Sequence, residues 1–373
     1  MSKLEQLINE LCPNGVEYRR LENCCEILDN KRKPVTKSAR EAGNYPYYGA
    51  NGIQDYVSNY IFDGTFILVG EDGSVVTEMG TPIVTWATGK IWVNNHAHII
   101  SEMNDVLLRY LFHYLQTVPV KHLIHGNIPK LTGGDFRALK IAVPPLPIQE
   151  EIVKILDNFT ELTAELTAEL TARKQQYEYY ANKIFELKNT EYKQLKNIAE
   201  IGTGSSNTNE EMENGKYPFF VRSPEVRTKD TYEFDETAII TSGDGVGVGK
   251  IFHYIEGKYA LHQRAYRIHI TSDDVIPKYY YHYMKTTFYD YIMKNAVNSS
   301  VTSIRRKMLD EYNVPVPPLD EQQHIVNILD RFDKLCNDIS EGLPAEIDAR
   351  QKQYEYYRDK LLKFKKKEAV ENE

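Results

Sequence analysis

The stretch VPPLPIQEEIVKILDNF, residues 143–159, is written a second time as VPPLDEQQHIVNILDRF at 316–332, a shift of 173 residues. In each copy a proline cluster ends a strand-like tail and an apolar three-four rhythm begins, the pattern of a helix start. Further along, RKQQYEYYANKIFEL (173–187) returns as RQKQYEYYRDKLLKF (350–364), now shifted by 177. The second copy is therefore longer between the two anchors by 177 − 173 = 4 residues. There the first copy carries LTAELTAELTAR (162–173), a four-residue phrase written nearly three times, and the second carries ISEGLPAEIDA (339–349). Four residues of helix advance about 6 Å and turn about 40° beyond a full circle, so Leu162, Leu166 and Leu170 form a slowly drifting apolar stripe. The phrase is a modular length of helix, as a spacer requires.

The duplication extends outward from these anchors. EYRRLENCCEI (17–27) aligns with EYKQLKNIAEI (191–201), YPYYGANGI (45–53) with YPFFVRSPE (217–225), and DVLLRYLFHYLQT (105–117) with DVIPKYYYHYMKT (274–286). Both halves carry an Asp-Gly followed by Gly-Lys-Ile: Asp72-Gly73 then Gly89–Ile91, and Asp244-Gly245 then Gly249–Ile251. Even INEL (8–11) echoes IFEL (184–187), so the N-terminus reads as the tail of the helix that ends each unit, closing the repeat into a circular, pseudo-twofold arrangement.

The apolar rhythm runs through Ile152, Ile155, Phe159, Leu162, Leu166 and Leu170 and resumes at Tyr177, Tyr180, Ile184 and Leu187. In the second helix it runs through Ile325, Ile328, Phe332, Leu335, Ile339, Leu343 and Ile347, then Tyr354, Tyr357, Leu361 and Phe364. This is a coiled-coil seam, and two such helices of about 60 Å each are expected to pack antiparallel as a rod between two globules. Gly342 and Pro344 predict a kink in the second. GTFILVG and TAIITSG read as short buried strands. The expected class is α+β (mixed α/β): a first globule with a short N-terminal helix (1–145), a central helix (146–188), a second globule (189–318), a C-terminal helix (319–366) and a charged tail (367–373).

With 373 residues, 42% of them hydrophobic and 26% charged, the chain is long enough for two domains and is not of disordered composition. No run approaches the roughly 20 apolar residues of a membrane span, and the start MSKLEQLINEL is an amphipathic pattern rather than a signal peptide, so the expected compartment is the cytoplasm. Cys12, Cys24, Cys25 and Cys336 form no C-x-x-C pair, which predicts buried or idle thiols and no zinc site. The net charge of −8 excludes a protein basic all over, yet KRKPVTKSAR (31–40) holds five cations and no acid.

Catalytic signatures are missing from the sequence. GDGVGVGKI (243–251) fails the phosphate-loop spacing, HLIH (122–125) lacks further ligands, and there is neither an H-E-x-x-H, an Asn-Pro-Pro-Tyr nor a Pro-Asp.

The duplicated VPPLxxQ…IVxILD junctions, the repeated QYEYY helices, the YPYYGANGI stretch and the tetrapeptide phrase resemble the specificity subunit of type I restriction-modification enzymes, over essentially the whole chain. The resemblance implies that the globules are two target recognition domains, each reading half of a split sequence in double-stranded DNA. It implies that the two helices are spacers that also bind two modification subunits, which supply S-adenosylmethionine and methylate adenine. A restriction subunit would use ATP and Mg to translocate and cut DNA. The chain itself would be non-catalytic, with no cofactor or metal of its own and no membrane contact. A stand-alone bipartite DNA-binding regulator and a coiled-coil scaffold without DNA contact are the competing readings.

Phosphate contacts need Lys and Arg, and base edges need bidentate Arg, Asn or Gln. The first globule's candidates are Lys31, Arg32, Lys33, Tyr47, Asn51, Lys90, Asn94, Asn95 and His96, with His125, Asn127 and Lys130 as a further loop. The second globule offers Arg222, Ser223, Arg227, Lys250, His262, Gln263, Arg264, Asn298, Ser299, Arg305 and Arg306. On the helices, Tyr177, Tyr180, Tyr354 and Tyr357 fall on the seam, whereas Tyr179 and Tyr356 point elsewhere and are candidates for facing a modification subunit.

Overall fold

The computed structural model describes residues 2–187, 190–295 and 303–367. The chain divides into two compact units, one running to Leu166 and resuming at Ile347, the other spanning Thr167–Glu346. Both divisions fall inside helices, so the helices are not segments apart from the globules. The reason is burial: Ile148, Ile152 and Leu156 are fully enclosed in the first core, and Ile325, Val326 and Leu329 are buried in the second.

The first unit comprises α1 (Lys3–Leu11), β1 (Glu17–Arg20), β2 (Glu26–Ile27), β3 (Ala42–Gly49), β4 (Gly52–Val57), β5 (Phe62–Gly70), β6 (Val84–Val93), β7 (Ala97–Ser101), α2 (Leu108–Leu115), β8 (Ile124–His125), β9 (Lys130–Leu131), α3 (Gly133–Ala138), β10 (Lys140–Val143) and the first part of α4 (Leu146–Ile184). Its main sheet has the order β2-β7-β5-β6-β3-β4, and β3 runs parallel to β6. The second unit contains the rest of α4, then β11 (Glu191–Gln194), β12 (Ala199–Thr203), β13 (Tyr217–Phe220), β14 (Arg227–Lys229), β15 (Phe234–Ser242), β16 (Phe252–Leu261), β17 (Ala265–Ile270), α5 (Pro277–Asn295), α6 (Arg306–Asp310), β18 (Asn313–Val316), α7 (Leu319–Asn337) and the start of α8 (Leu343–Leu361). Its sheet order is β12-β17-β15-β16-β13-β14, with β13 parallel to β16. The same unusual order, parallel step included, makes the duplication structural. In each unit the chain enters and leaves the globule on a paired two-strand ribbon, β1 with β10 and β11 with β18.

Strand register corrects one sequence match. Phe62 stands opposite Ile91 and Phe234 opposite Tyr259, so the counterpart of Gly89-Lys90 is Gly257-Lys258 in β16, while Gly249–Ile251 lies in the preceding loop. Side chains agree: Lys90 Nζ sits 4.7 Å over the Tyr60 ring, itself 5.1 Å from Tyr45, and Lys258 Nζ sits 4.7 Å over Tyr232, itself 5.0 Å from Tyr217.

The glutamine of each Pro-Pro-Leu junction has a definite task. Gln149 donates to Asp105 O (3.1 Å) and Pro144 O (2.8 Å) and accepts from Leu107 N (2.9 Å). Gln322 repeats this with Asp274 O (2.7 Å), Pro317 O (2.8 Å) and Ile276 N (2.8 Å). Both side chains are fully buried, so each clips the start of a long helix to the entrance of a globule helix. Removal leaves a buried N–H and two carbonyls unpaired. Gln149→Ala and Gln322→Ala are each expected to lower stability by about 3 kcal/mol, measured as a shift in denaturant midpoint at constant slope; a shift within error in both would show that the clip contributes nothing.

A second clip differs between the units. His113 bonds Asp157 (2.9 Å) and the Tyr354 hydroxyl (2.9 Å), whereas His282 bonds Asp330 (2.7 Å) and its Nδ1 has no hydrogen-bond partner. Burial holds both imidazoles below the ordinary histidine range. The helix pairing differs accordingly: Phe159 stacks on Tyr357 at 5.3 Å in the first unit, and Tyr177 meets Phe332 at 6.2 Å in the second. In both, early turns of one long helix meet late turns of the other, as the antiparallel seam requires.

The kink expected at Gly342 is a full break between α7 and α8. Asp338 Oδ1 accepts from Ser340 N (2.7 Å), Ser340 Oγ (2.6 Å) and Glu341 N (3.2 Å), a side-chain turn that competes with the helix and holds the carboxyl below its usual range. A Cβ on Gly342 would lie 2.6 Å from the carbonyls of Lys334 and Asp338, so no larger residue fits this close approach. Pro344 falls in the first turn of α8, where its missing N–H costs nothing. Ile339, expected on the seam, is 86% exposed in the turn. Cys24, Cys25 and Cys336 are buried thiols, with burial pushing Cys24 up to about 11, and Cys12 is half-buried.

Candidate nucleic-acid interface

In the first unit the strand ends of the main sheet gather most of the sequence candidates onto one surface. The segment after β6 takes Asn94 N to Tyr48 O (3.0 Å), which ties Asn94–His96 to the β3–β4 turn where Asn51 is exposed. Lys33 N donates to Val93 O (3.3 Å), and Trp92 Nε1 donates to Lys33 O (2.6 Å), bringing the exposed Lys31 and Lys33 alongside. The 125–130 loop joins through Gly73 N to Pro129 O (2.9 Å) and a bridge between Asp72 and Lys130, and it presents His125 and Asn127 to solvent. Lys90 stays apart, on the sheet over Tyr60.

Three first-unit candidates are framework instead. Tyr47 is 1% exposed; its hydroxyl accepts from Val35 N (3.0 Å) and donates to Val35 O (3.3 Å), so it pins the basic loop rather than meeting DNA. Asn94 is 2% exposed and bonded to Gln54 (3.3 Å) and His96 N (2.8 Å). Arg32 is drawn inward by Glu71 (2.6 Å), Ala97 O (2.6 Å) and Asp29 O (2.9 Å). Asp29, Glu71 and His98 bring ligand atoms within 4.8 Å of one another. The carboxylates there already hold Arg32 and, on Glu71, Lys130 at 3.2 Å, while His98 bonds Asp29 (2.7 Å) and Leu131 O (3.1 Å). That makes the cluster an ion network supporting the loop from beneath.

The second unit builds the corresponding surface. His262 N donates to Phe220 O (2.9 Å), Ile304 N to Gly243 O (2.8 Å), and Asp244 bridges to Ser303, so Arg222, Gln263, Arg264 and the exposed Arg305 lie together. Arg222 and Arg264 both pair with Asp244. Lys250 is exposed, 4.8 Å over the Tyr289 ring. His262 is 4% exposed and its Nδ1 accepts from Arg264 N (3.0 Å); burial lowers its pKa, so it serves the loop as an acceptor rather than reaching a base. Ser223 is half-buried, with its hydroxyl accepting from Glu225 N (3.1 Å). Arg227 is engaged by Glu211, and Arg306 by Ile201 O (2.6 Å) and Asp310 (2.8 Å). Asn298 and Ser299 lie outside the described residues. In the sequence Asp72 and Asp244 stand out only as parts of Asp-Gly turns; that they pair with the exposed His96 and Arg264 is a property of the folded chain.

On the helices, Tyr179 (54% exposed) and Tyr356 (61%) face solvent as expected. Tyr180 and Tyr357, expected on the seam, are also exposed, at 47% and 39%, although Tyr357 still stacks on Phe159; Tyr354 alone of the seam tyrosines is buried.

The model of the type I restriction modification DNA specificity domain matches residues 13–173 and again 188–349. The chain belongs to this family. It is 36% identical to a putative type I restriction enzyme specificity subunit of Haemophilus influenzae, over 94% of this chain and 96% of that one. It is also 36% identical to the EcoR124I/EcoR124II specificity subunit of Escherichia coli, over 72% and 74%. Among solved structures, the type I restriction-modification S subunit from M. genitalium aligns over 93% of this chain and 96% of its own, with TM-score 0.63 at 16% identity. A chain from a type I R-M system structure aligns over 95% and 98% with TM-score 0.58 at 14% identity. Both share the fold of this type I specificity family member: two matched domains with the long helix α4 between them. Among the described residues no helix is long and apolar enough to cross a membrane.

Proposed function

We propose that the chain reads a bipartite, asymmetric site in double-stranded DNA, one half-site per unit, and carries two modification subunits together with restriction subunits in the cytoplasm. One observation carries the reading: the units share a fold and a strand order, yet their loops at the sheet ends carry different residues while their helix faces carry the same ones. The exposed set Tyr179, Tyr180 and Lys183 recurs as Tyr356, Tyr357 and Lys360, with tyrosine rings 5.4 Å and 5.3 Å apart at 79° and 78°. Identical faces suit two copies of one partner, and different loops suit different bases.

The chain acts without catalysis: S-adenosylmethionine, ATP and Mg are the partners' ligands. The purified chain is expected to give no calorimetric signal with S-adenosylmethionine and to methylate DNA only after a modification subunit is added. Binding to the pure chain would overturn this. Methylome sequencing of a host expressing the complex tests the whole reading, because a bipartite adenine-methylated motif supports it, whereas a stand-alone regulator leaves no methylated motif.

A further inference from the structure

The two units build one loop from different residues. Asn94, after β6, and His262, after β16, are buried, and each turns a side-chain acceptor onto the backbone N–H two residues ahead: Asn94 Oδ1 to His96 N at 2.8 Å, His262 Nδ1 to Arg264 N at 3.0 Å. This local cap lifts the next two side chains, Asn95-His96 and Gln263-Arg264, into solvent. The Asp-Gly turn stands opposite, held by Glu71 N to His96 O (2.8 Å) and by Gly243 N to Arg264 O (2.9 Å). From it Asp72 takes His96 Nδ1, and Asp244 takes Arg264 at 3.3 Å.

We propose that His96 and Arg264 occupy equivalent base-reading positions, each aimed by the aspartate of its Asp-Gly turn, and that Arg264 reads a guanine where His96 reads a different base. The inference rests on the DNA-specificity reading above. A carboxylate on a DNA-facing loop repels phosphate, so retaining one at the same place in both units needs a local reason, and fixing the side chain beside it, His96 or Arg264, is that reason. A guanidinium has five donors and no acceptor. With one amino group on Asp244, its remaining edge still presents two parallel donors, the match to guanine O6 and N7 in the major groove. An imidazole with Nδ1 committed to Asp72 has a single nitrogen left and cannot form that pair. Holding the side chain before binding also reduces the ordering entropy lost on recognition.

The test uses the full chain in complex with its modification subunit, with methylome sequencing as the readout and modification rates on duplexes varied at single positions. His96→Arg is expected to install guanine at one position of one half-site and to leave every other position unchanged. Arg264→His is expected to cut the preference for guanine at one position of the other half-site by about 10- to 100-fold. Asp244→Asn is expected to weaken the same preference at that position, with any further change confined to the same half-site because Asp244 also holds Arg222; a merely structural aspartate would lower modification of all sites evenly with the motif intact. A bipartite wild-type motif that both His96→Arg and Arg264→His leave unchanged, with thermal unfolding confirming folded variants, overturns this proposal alone. A wild-type complex that methylates without sequence preference overturns the DNA-specificity reading and this proposal with it.

Discussion

Exchanging residues 190–313 for the second globule of another family member is expected to replace one half of the methylated motif and leave the other half untouched. The second unit owns what the exchange needs: its own six-stranded sheet and its own core around Ile239, Ile268 and Tyr280. The chain enters and leaves the globule on the β11–β18 ribbon, where Glu191 pairs with Val316 and Gln194 with Asn313, so both graft points fall at one short sheet. What the donor must supply is the face of α5 toward α7, since His282 bonds Asp330 and Lys285 bonds Asp333 (2.9 Å) across it. The size of the effect follows from base recognition: each lost bidentate contact costs about 1–3 kcal/mol, and several are lost at once, so the old half-site should vanish from the methylome. A motif altered in both halves would show that the units do not read separately.

Inserting one Leu-Thr-Ala-Glu unit into 162–173 is expected to keep both half-sites and widen the unread gap by one base pair. The division between the two units falls between Leu166 and Thr167, inside the repeated phrase, so added length there separates one unit's share of α4 from the other's. Leu162, Leu166 and Leu170 are only half-buried, and the Thr, Ala and Glu positions between them are largely exposed, so a further unit meets no packed core. The insertion adds about 6 Å and about 40°, against about 3.4 Å and roughly 34–36° per base pair. Part of the added length runs oblique to the duplex and the partner helix is unchanged, which leaves one base pair as the natural step. Deleting a unit should narrow the gap or abolish modification. Methylome sequencing of the insertion variant decides it, and an active complex with an unchanged gap would mean that the phrase is ordinary helix.

Much of the architecture was legible before folding. Copies of 143–159 and 173–187 at shifts of 173 and 177 are enough to establish duplication, long helices and a four-residue difference between them, because local periodicity and proline punctuation act within one stretch of chain. The candidate site was legible only as a pool of residue types. Lys31, Asn51, Asn95, His96, Gln263 and Arg264 do reach solvent at the sheet ends, but Tyr47, Asn94 and His262 turned inward. Nothing in their local sequence separates the two groups, since the difference lies in which strand end covers each one.

By itself, then, the sequence determined that the chain is two related halves joined by long amphipathic helices, and that no familiar catalytic motif is written in it. Tertiary structure alone decided that each globule takes its own share of both helical regions, that Gly257 rather than Gly249 answers to Gly89, that the second helix breaks at Asp338–Gly342, and that an aspartate pairs with an exposed His96 or Arg264 in each loop. The physical reason is common to all four. Strand register, helix partnership and the pairing of a buried acceptor depend on contacts between residues far apart in the chain, and these are settled by which arrangement buries the apolar stripes while leaving the fewest polar groups unpaired.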